Sequence, residues 1–353
     1  MTVDVVEAWN GPGRHDGTLT TVSPSHNARR AGPEANAFEH WYFDAHLDNG
    51  YTVVGFLVRR RPEDPPLSRP WVEIIVYHPD GSRRQLAQRY PNRAAHFAAD
   101  EVDVRIGPNS ARVVFDGELP RYLVVFDEDD VRLELEFTNL LAPWMPGRGE
   151  TRFGDGGVFG WCVGAPRAAV RGRMAIGTRE WEVTGTGYAD HNWGRGAMPR
   201  IIDQWHWGRL YTEDFTLLYA VVATQEKYGN LQIMPVMLAE GDRVILSTGE
   251  VDFTEGPAVY DETTGRTHPT SLSLNCPGKF SLEMTVTQVL HAQALLEQVP
   301  LLGSRFLRPL TDRLIGRPGY FRFRSDFTLS VTRDDGSTET VDGSTLHELV
   351  ALR

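Results

Sequence analysis

Only two of the 353 residues are cysteine, Cys162 and Cys276, so neither a disulfide framework nor a cysteine-rich metal site organises this chain. Lysine is equally scarce: Lys227 and Lys279 are the two, and arginine supplies the rest of the 36 basic residues. Against 47 acidic residues this leaves a net charge of −11, which argues against nucleic acid as a partner, because phosphate binding needs a basic face. No run of about 18 apolar residues is present to span a membrane. The first residues, MTVDVVEAWNGPGRHDG, show no basic stretch followed by an apolar one. No leader is therefore expected, and a cytosolic (cytoplasmic) location is. Also missing are GxSxG, a glycine-rich phosphate loop, a dinucleotide fingerprint and HExxH, so neither a bound metal nor an organic redox cofactor is expected.

What the chain does have is turn formers: 34 glycines and 22 prolines, in a composition 41% hydrophobic and 24% charged. These break it into short β-rich runs. YTVVGFLVRR (51–60), WVEIIVYH (71–78), VRLELEFTNL (131–140), FTLLYAVVA (215–223) and FSLEMTVTQVL (280–290) are examples, with DNG, PDGS, EGD and DDG among the separating turns. Asn, Asp and Gly close hairpins cheaply. Strands at this spacing, without long helices between them, predict an antiparallel all-β architecture of barrels or sandwiches. The length suits two domains, placed at 1–195 and 196–353. One segment, 291–317, breaks the pattern. Leu302, Phe306, Leu310 and Leu314 recur at helical spacing, with arginines largely elsewhere around the turn, which predicts an amphipathic helical insertion. Over 300–317 it would serve as a lid on a barrel mouth hinged near Pro309, or pack permanently on the barrel wall; transient membrane contact is a third use.

Three clusters concentrate chemistry-bearing side chains. On a strand, EHWYFDAHL (39–47) sets His40, Tyr42, Asp44 and His46 on one face and Trp41, Phe43 and Ala45 on the other. That polar row reads as a cavity wall, as a solvent-facing strand, or as three metal ligands, His40, Asp44 and His46. GTGYADHNWG (185–194) packs Tyr188, Asp190, His191, Asn192 and Trp193 between small residues that suit a tight turn. DQWHWGR (203–209) puts Trp205 and Trp207 side by side, as plain core or as a wall that stacks a planar or polyene ligand.

These three stretches, with GxGYxDHNWG and WxWGRL as their cores, resemble the carotenoid 1,2-hydratase (hydroxyneurosporene synthase) and AttH-like family over most of the chain. The resemblance implies two tandem lipocalin-like (calycin) barrels, and activities such as those of carotenoid hydratases and lipocalin-like cyclases and Diels–Alderases. It implies that His191 and Trp193 protonate and cradle an olefin and that Tyr219 assists. Val221 stands where the hydratases carry an aspartate, so the group best suited to activate water is missing. The reading that follows is a cofactor-independent cyclase acting on a hydrophobic unsaturated terpenoid, polyene or polyketide. His191, Asp190 and Tyr219 would be catalytic, with Asp190 orienting His191. Trp41, Tyr42, Asp44, Tyr188, Trp193, Trp205 and Trp207 would line the substrate site. Hydration of an isolated double bond and a non-catalytic lipid or pigment carrier are the alternatives.

Overall fold

A computed structural model describes residues 3–9, 19–62, 64, 68–294 and 318–352. Regular alternation accounts for the outer strands. In Val131–Asn139, Val131, Leu133, Leu135 and Phe137 are buried while Arg132, Glu134, Glu136 and Thr138 face outward. Such strands form a first antiparallel sheet of thirteen, drawn from residues 5–196, and a second of ten, drawn from 202–351.

Both sheets follow the same circuit. In the first, Ala37–Leu47 opens the meander and pairs with Arg179–Gly196, which ends it. In the second, Ile202–Tyr211 opens and pairs with Thr338–Ala351, which ends it. The two edge strands of each sheet are joined by very short links. Arg83–Arg89 leads to Ala95–Phe97, and Arg243–Thr248 leads to Asp252–Glu255. The links span six and four Cα–Cα steps, which reach at most about 20 Å and about 14 Å, so the edges of each sheet must face one another. Each sheet therefore curls into a half-barrel around its own core. Trp41, Phe43, Phe126, Leu133 and Phe137 fill the first. Leu217, Tyr219, Leu238, Leu282, Phe327 and Leu329 fill the second.

The expected all-β class and lipocalin-like architecture are what the chain adopts, as open half-barrels in which the edge strands do not pair. The expected helical insertion is not supported. His291–Ala294 continue the strand Phe280–Ala294 in register with Gly319–Arg322, and the rest of the segment lies outside the described residues. Among the described residues there is no α-helix, and none therefore long and apolar enough to cross a membrane. The expected turn at 185–194 is also corrected: the segment lies within the strand Arg179–Gly196. Its glycines serve close approach instead. A Cβ on Gly187 would sit 2.4 Å from the Phe137 ring and 2.6 Å from a Val170 methyl.

Ala37–Leu47, the second half of Arg179–Gly196 and Phe215–Thr224 lose the alternating pattern because both their faces are buried. The outer faces of Ala37–Leu47, Arg179–Gly196 and the start of Gly157–Ile176 pack against those of Ile202–Tyr211, Phe215–Thr224 and Val236–Glu240. The apolar part of this seam holds Leu141, Trp144, Trp161, Val163 and Tyr188 against Leu218, Ala220, Met237 and Ala239. The Trp144 indole donates to Ser247 Oγ across it at 2.9 Å, and Tyr211 donates to the Pro166 carbonyl at 2.7 Å.

The tight fit at Gly187 has a measurable consequence. Gly187→Ala must push Phe137 or Val170 aside, and overpacking of this kind costs about 1–3 kcal/mol. A urea titration should show a lowered midpoint with an unchanged slope.

Candidate functional site

Strand parity sorts the predicted residues into separate groups. Asp190 lies opposite Tyr42 and Tyr188 opposite Asp44 in the ladder, so these four share the outer face. His191 lies opposite Trp41, and both point into the first half-barrel.

At the seam the Arg209 guanidinium grips both oxygens of Asp44, with Nη1 donating to Oδ2 at 2.7 Å and Nη2 to Oδ1. Both side chains are buried. Tyr42 donates a third hydrogen bond to Oδ2 at 2.7 Å. Burial alone would raise the Asp44 pKa, but the charge and hydrogen bonds of Arg209 outweigh it and hold the carboxyl below its usual range. The guanidinium also lies 4.8 Å from the Tyr188 ring centre, 5.7 Å from Trp207 and 5.4 Å from Tyr211. Behind it, Asp190 accepts from Tyr188 at 2.8 Å, from Trp161 Nε1 at 3.0 Å and from Asn192 at 2.9 Å. Burial pushes Asp190 up to about 7 against the pull of the Tyr188 and Trp161 hydrogen bonds.

This ion pair borders a cavity of about 380 Å³ between the two sheets. Asp44, His46 and Thr52 line it from the first sheet. Trp207, Arg209, Tyr211, Arg322, Arg324, Leu346 and Glu348 are among those lining it from the second. His46 Nδ1 is 3.0 Å from the Thr52 hydroxyl, and burial, followed by the nearby charge of Arg209, pushes its pKa down to about 4.

The expected pairing of Asp190 with His191 does not occur, because neighbours on a strand face opposite ways. His191 is fully buried, 3.1 Å from Glu39 through Nε2, stacked on Trp41 at 4.4 Å and beside Trp193 at 4.9 Å. Trp41 and Trp193 therefore belong to this inner group and do not line the cavity. Trp193 donates to Glu150 at 2.9 Å. Tyr219 is not at the seam either. It lies in the core of the second half-barrel with its hydroxyl 3.8 Å from Met284 Sδ, over Gly208, where a Cβ would meet the phenol at 2.6 Å. Trp205 and Trp207 do share a face, yet they part company. Trp207 packs edge-on against Tyr188 and Tyr42, whereas Trp205 joins an apolar cluster with Phe38, Ile201 and Ile202. His40, Asp44 and His46 share a face but are committed elsewhere. Arg209 takes Asp44, Thr52 takes His46, and His40 packs near Phe56. Among the described residues no group of three or more His, Cys, Asp or Glu side chains is arranged to hold a metal.

The sequence reading missed Arg209, Arg322 and Glu348. Parity was the available signal: Arg209 is two residues beyond Trp207 and shares its face, and Arg322 and Arg324 alternate with Phe321 and Phe323.

Two consequences are measurable. Removing one partner of a buried ion pair strands the other charge, so Asp44→Asn or Arg209→Gln alone should cost about 3–5 kcal/mol. The pair Asp44→Leu with Arg209→Met should recover much of that in a double-mutant cycle. For Asp190, the folded state keeps its proton to about 7 while the unfolded chain releases it in the usual carboxylate range. Stability from this proton is full below that range and is lost as pH rises through about 7. Urea midpoints compared near pH 5 and pH 8 should therefore drop less for Asp190→Asn than for the native chain.

The comparisons with known proteins agree with this architecture. The model of the AttH-like family matches residues 29–302. Hydroxyneurosporene dehydrogenase of Chlorobaculum tepidum is 35% identical over 68 residues, a match that spans 18% of this chain and 18% of that relative's length. Among solved structures, an AttH-type protein of Nitrosomonas europaea superposes with a TM-score of 0.62 at 16% identity, over 97% of this chain and 99% of its own. Kievitone hydratase of Nectria haematococca gives 0.60 at 15%, over 97% and 96%. CghA bound to Sch210972 gives 0.63 at 14%, over 96% and 98%. At these identities the structures speak for the fold alone. The family model covers most of the sequence, including all three motif stretches, and the chain belongs to the AttH-like family.

Proposed function

We propose that this chain is a cofactor-independent enzyme that cyclises an unsaturated small molecule, a terpenoid, polyene or polyketide, in the cavity between its two sheets. The observation that carries the reading is the buried Asp44–Arg209 fork opening onto a space of about 380 Å³, within the size range of small-molecule sites. Trp207, Tyr211 and Leu346 offer surface on which an extended chain folds back on itself. Holding two reacting ends together supplies several kcal/mol of the barrier. His46 is a neutral ring at neutral pH, and a proton it takes up is readily returned.

Addition of water is the second reading. It is favoured by the name of kievitone hydratase among the structural neighbours and by the polar lining of the cavity. Both reactions use the same acid–base groups, and they differ in whether water is admitted beside the folded substrate.

The test is turnover of linear polyenes, terpenoids and polyketide chains by the purified protein, followed by mass spectrometry. A product of unchanged mass and altered retention supports cyclisation, and a gain of one water supports hydration. Saturable binding with every compound recovered unchanged would overturn the enzymatic reading in favour of a carrier. His46→Ala should lower kcat by about 10²–10⁴-fold with folding intact, whereas Trp207→Ala should act mainly on KM.

A further inference from the structure

The two cavity arginines with buried side chains are not in the same electrostatic state. Arg209 is saturated by Asp44. Arg322, on Gly319–Thr332 of the second sheet, is only 7% exposed. Among the described residues its guanidinium makes one hydrogen bond, Nη1 donating to the Tyr77 hydroxyl of the first sheet at 3.1 Å, and lies 4.9 Å from that ring. No described carboxylate is in ion-pair contact with it. Glu348 lies opposite Arg322 in the ladder and its charge helps keep the guanidinium protonated against burial, but it makes no direct ion pair, its Oε1 accepting from Tyr320 at 2.7 Å. A guanidinium has five N–H donors and does not give up its charge. With one of those donors used by Tyr77 and no direct ion pair, the buried guanidinium keeps unused donors that a ligand facing it can satisfy. Arg322 lines the cavity, and Arg324, two residues on and on the same face, lines it from an exposed position. Three arginines face Asp44 and Glu348 there, so the lining carries one positive charge in excess in a chain whose net charge is −11. With His46 held neutral, no further cation or anion among the lining residues changes that balance.

We infer that Arg322, backed by Arg324, is an oxyanion-recognition site, and that the molecule bound at the seam carries a carboxylate or enolate on its apolar, unsaturated body. The planar fork of Arg322 suits two oxygens sharing one charge. The Tyr77 hydrogen bond fixes one edge of the guanidinium and leaves its other donors for the ligand. The Asp44–Arg209 end, beside Trp207, then receives the part of the molecule that reacts. This inference rests on the proposed use of the seam cavity and adds the polarity and orientation of what it binds.

The experiment uses two dyes with the same aromatic frame on the full-length protein. 1-Anilinonaphthalene-8-sulfonate carries an anion, and N-phenyl-1-naphthylamine lacks it. Both are titrated by fluorescence, with Trp207→Ala reporting cavity occupancy. Expected is saturable binding of one dye per chain, weakened for both dyes by Trp207→Ala. Arg322→Gln should weaken the anionic dye about 10- to 100-fold, the scale of one charge-assisted contact, and leave the neutral dye unchanged. Arg322→Lys should retain part of the preference. Arg324→Gln, at an exposed position that does not threaten folding, should weaken the anionic dye alone, and less so as salt is raised. If both dyes bind in the cavity and neither arginine variant separates them, the oxyanion site is overturned while the cavity reading stands. If neither dye binds in a Trp207-dependent way, both are overturned.

Discussion

The buried Asp44–Arg209 pair is the constraint on which the seam depends. Each member sits on the strand that opens its sheet's circuit, so the contact joins two curled sheets at equivalent places. A carboxylate and a guanidinium of this burial cannot be left in apolar surroundings alone, and the seam is built to satisfy them. Tyr42 donates to the carboxylate, while Tyr188, Trp207 and Tyr211 present ring faces or edges around the guanidinium. Thr345 donates to the Arg209 carbonyl, tying the closing strand of the second sheet to the same point. A pair assembled at this expense fixes how the sheets meet, because sliding one strand by a single residue would turn Asp44 or Arg209 to the wrong face.

Much of the architecture was legible in the sequence, because an outer strand with one wet face writes its structure as alternation. Val131–Asn139 is the clearest case. The inner strands carry no such signal, since both faces are buried and tryptophan, tyrosine and aspartate sit next to one another. That is why GTGYADHNWG read as a turn. Its small residues are needed because Phe137 and Val170 press on the backbone at Gly187. The helical spacing after Pro300 was real as a pattern. It could not show that His291–Ala294 belong to a strand paired with its neighbour Gly319–Thr332.

The candidate site was half legible for the same reason. Tyr42, Asp44, Tyr188, Asp190 and Trp207 do converge, and applying alternation strictly would have separated them from Trp41, His191 and Trp193. Proximity in sequence misled most at Asp190 and His191, which are adjacent in the chain and on opposite sides of the sheet. Parity could place Arg322 on the face opposite Phe321 and Phe323, but not its role. That role comes from Tyr77, 245 residues away, and from Glu348 being turned to Tyr320 rather than into a direct ion pair, and both are facts of tertiary structure. The pocket is accordingly a polar one with aromatic walls, although the expected substrate is hydrophobic.

The position of the cavity follows from how the half-barrels are filled. A single lipocalin-like barrel keeps its ligand space inside. Here the interiors are closed by large side chains, Trp41, Phe126 and Phe137 in one and Tyr219, Phe321 and Phe323 in the other. Each interior also secures a buried histidine with a glutamate, His191 with Glu39 and His206 with Glu255. Those imidazoles are neighbours in sequence to seam residues but are sealed from the seam by their own strands. A reacting molecule therefore meets the side chains that point outward from both sheets, where strand curvature leaves them apart. Because the walls come from two sheets, how the sheets meet shapes the cavity. The ion pair that sets the docking angle and the arginines that set the charge are thus separate controls, the first on shape and the second on chemistry.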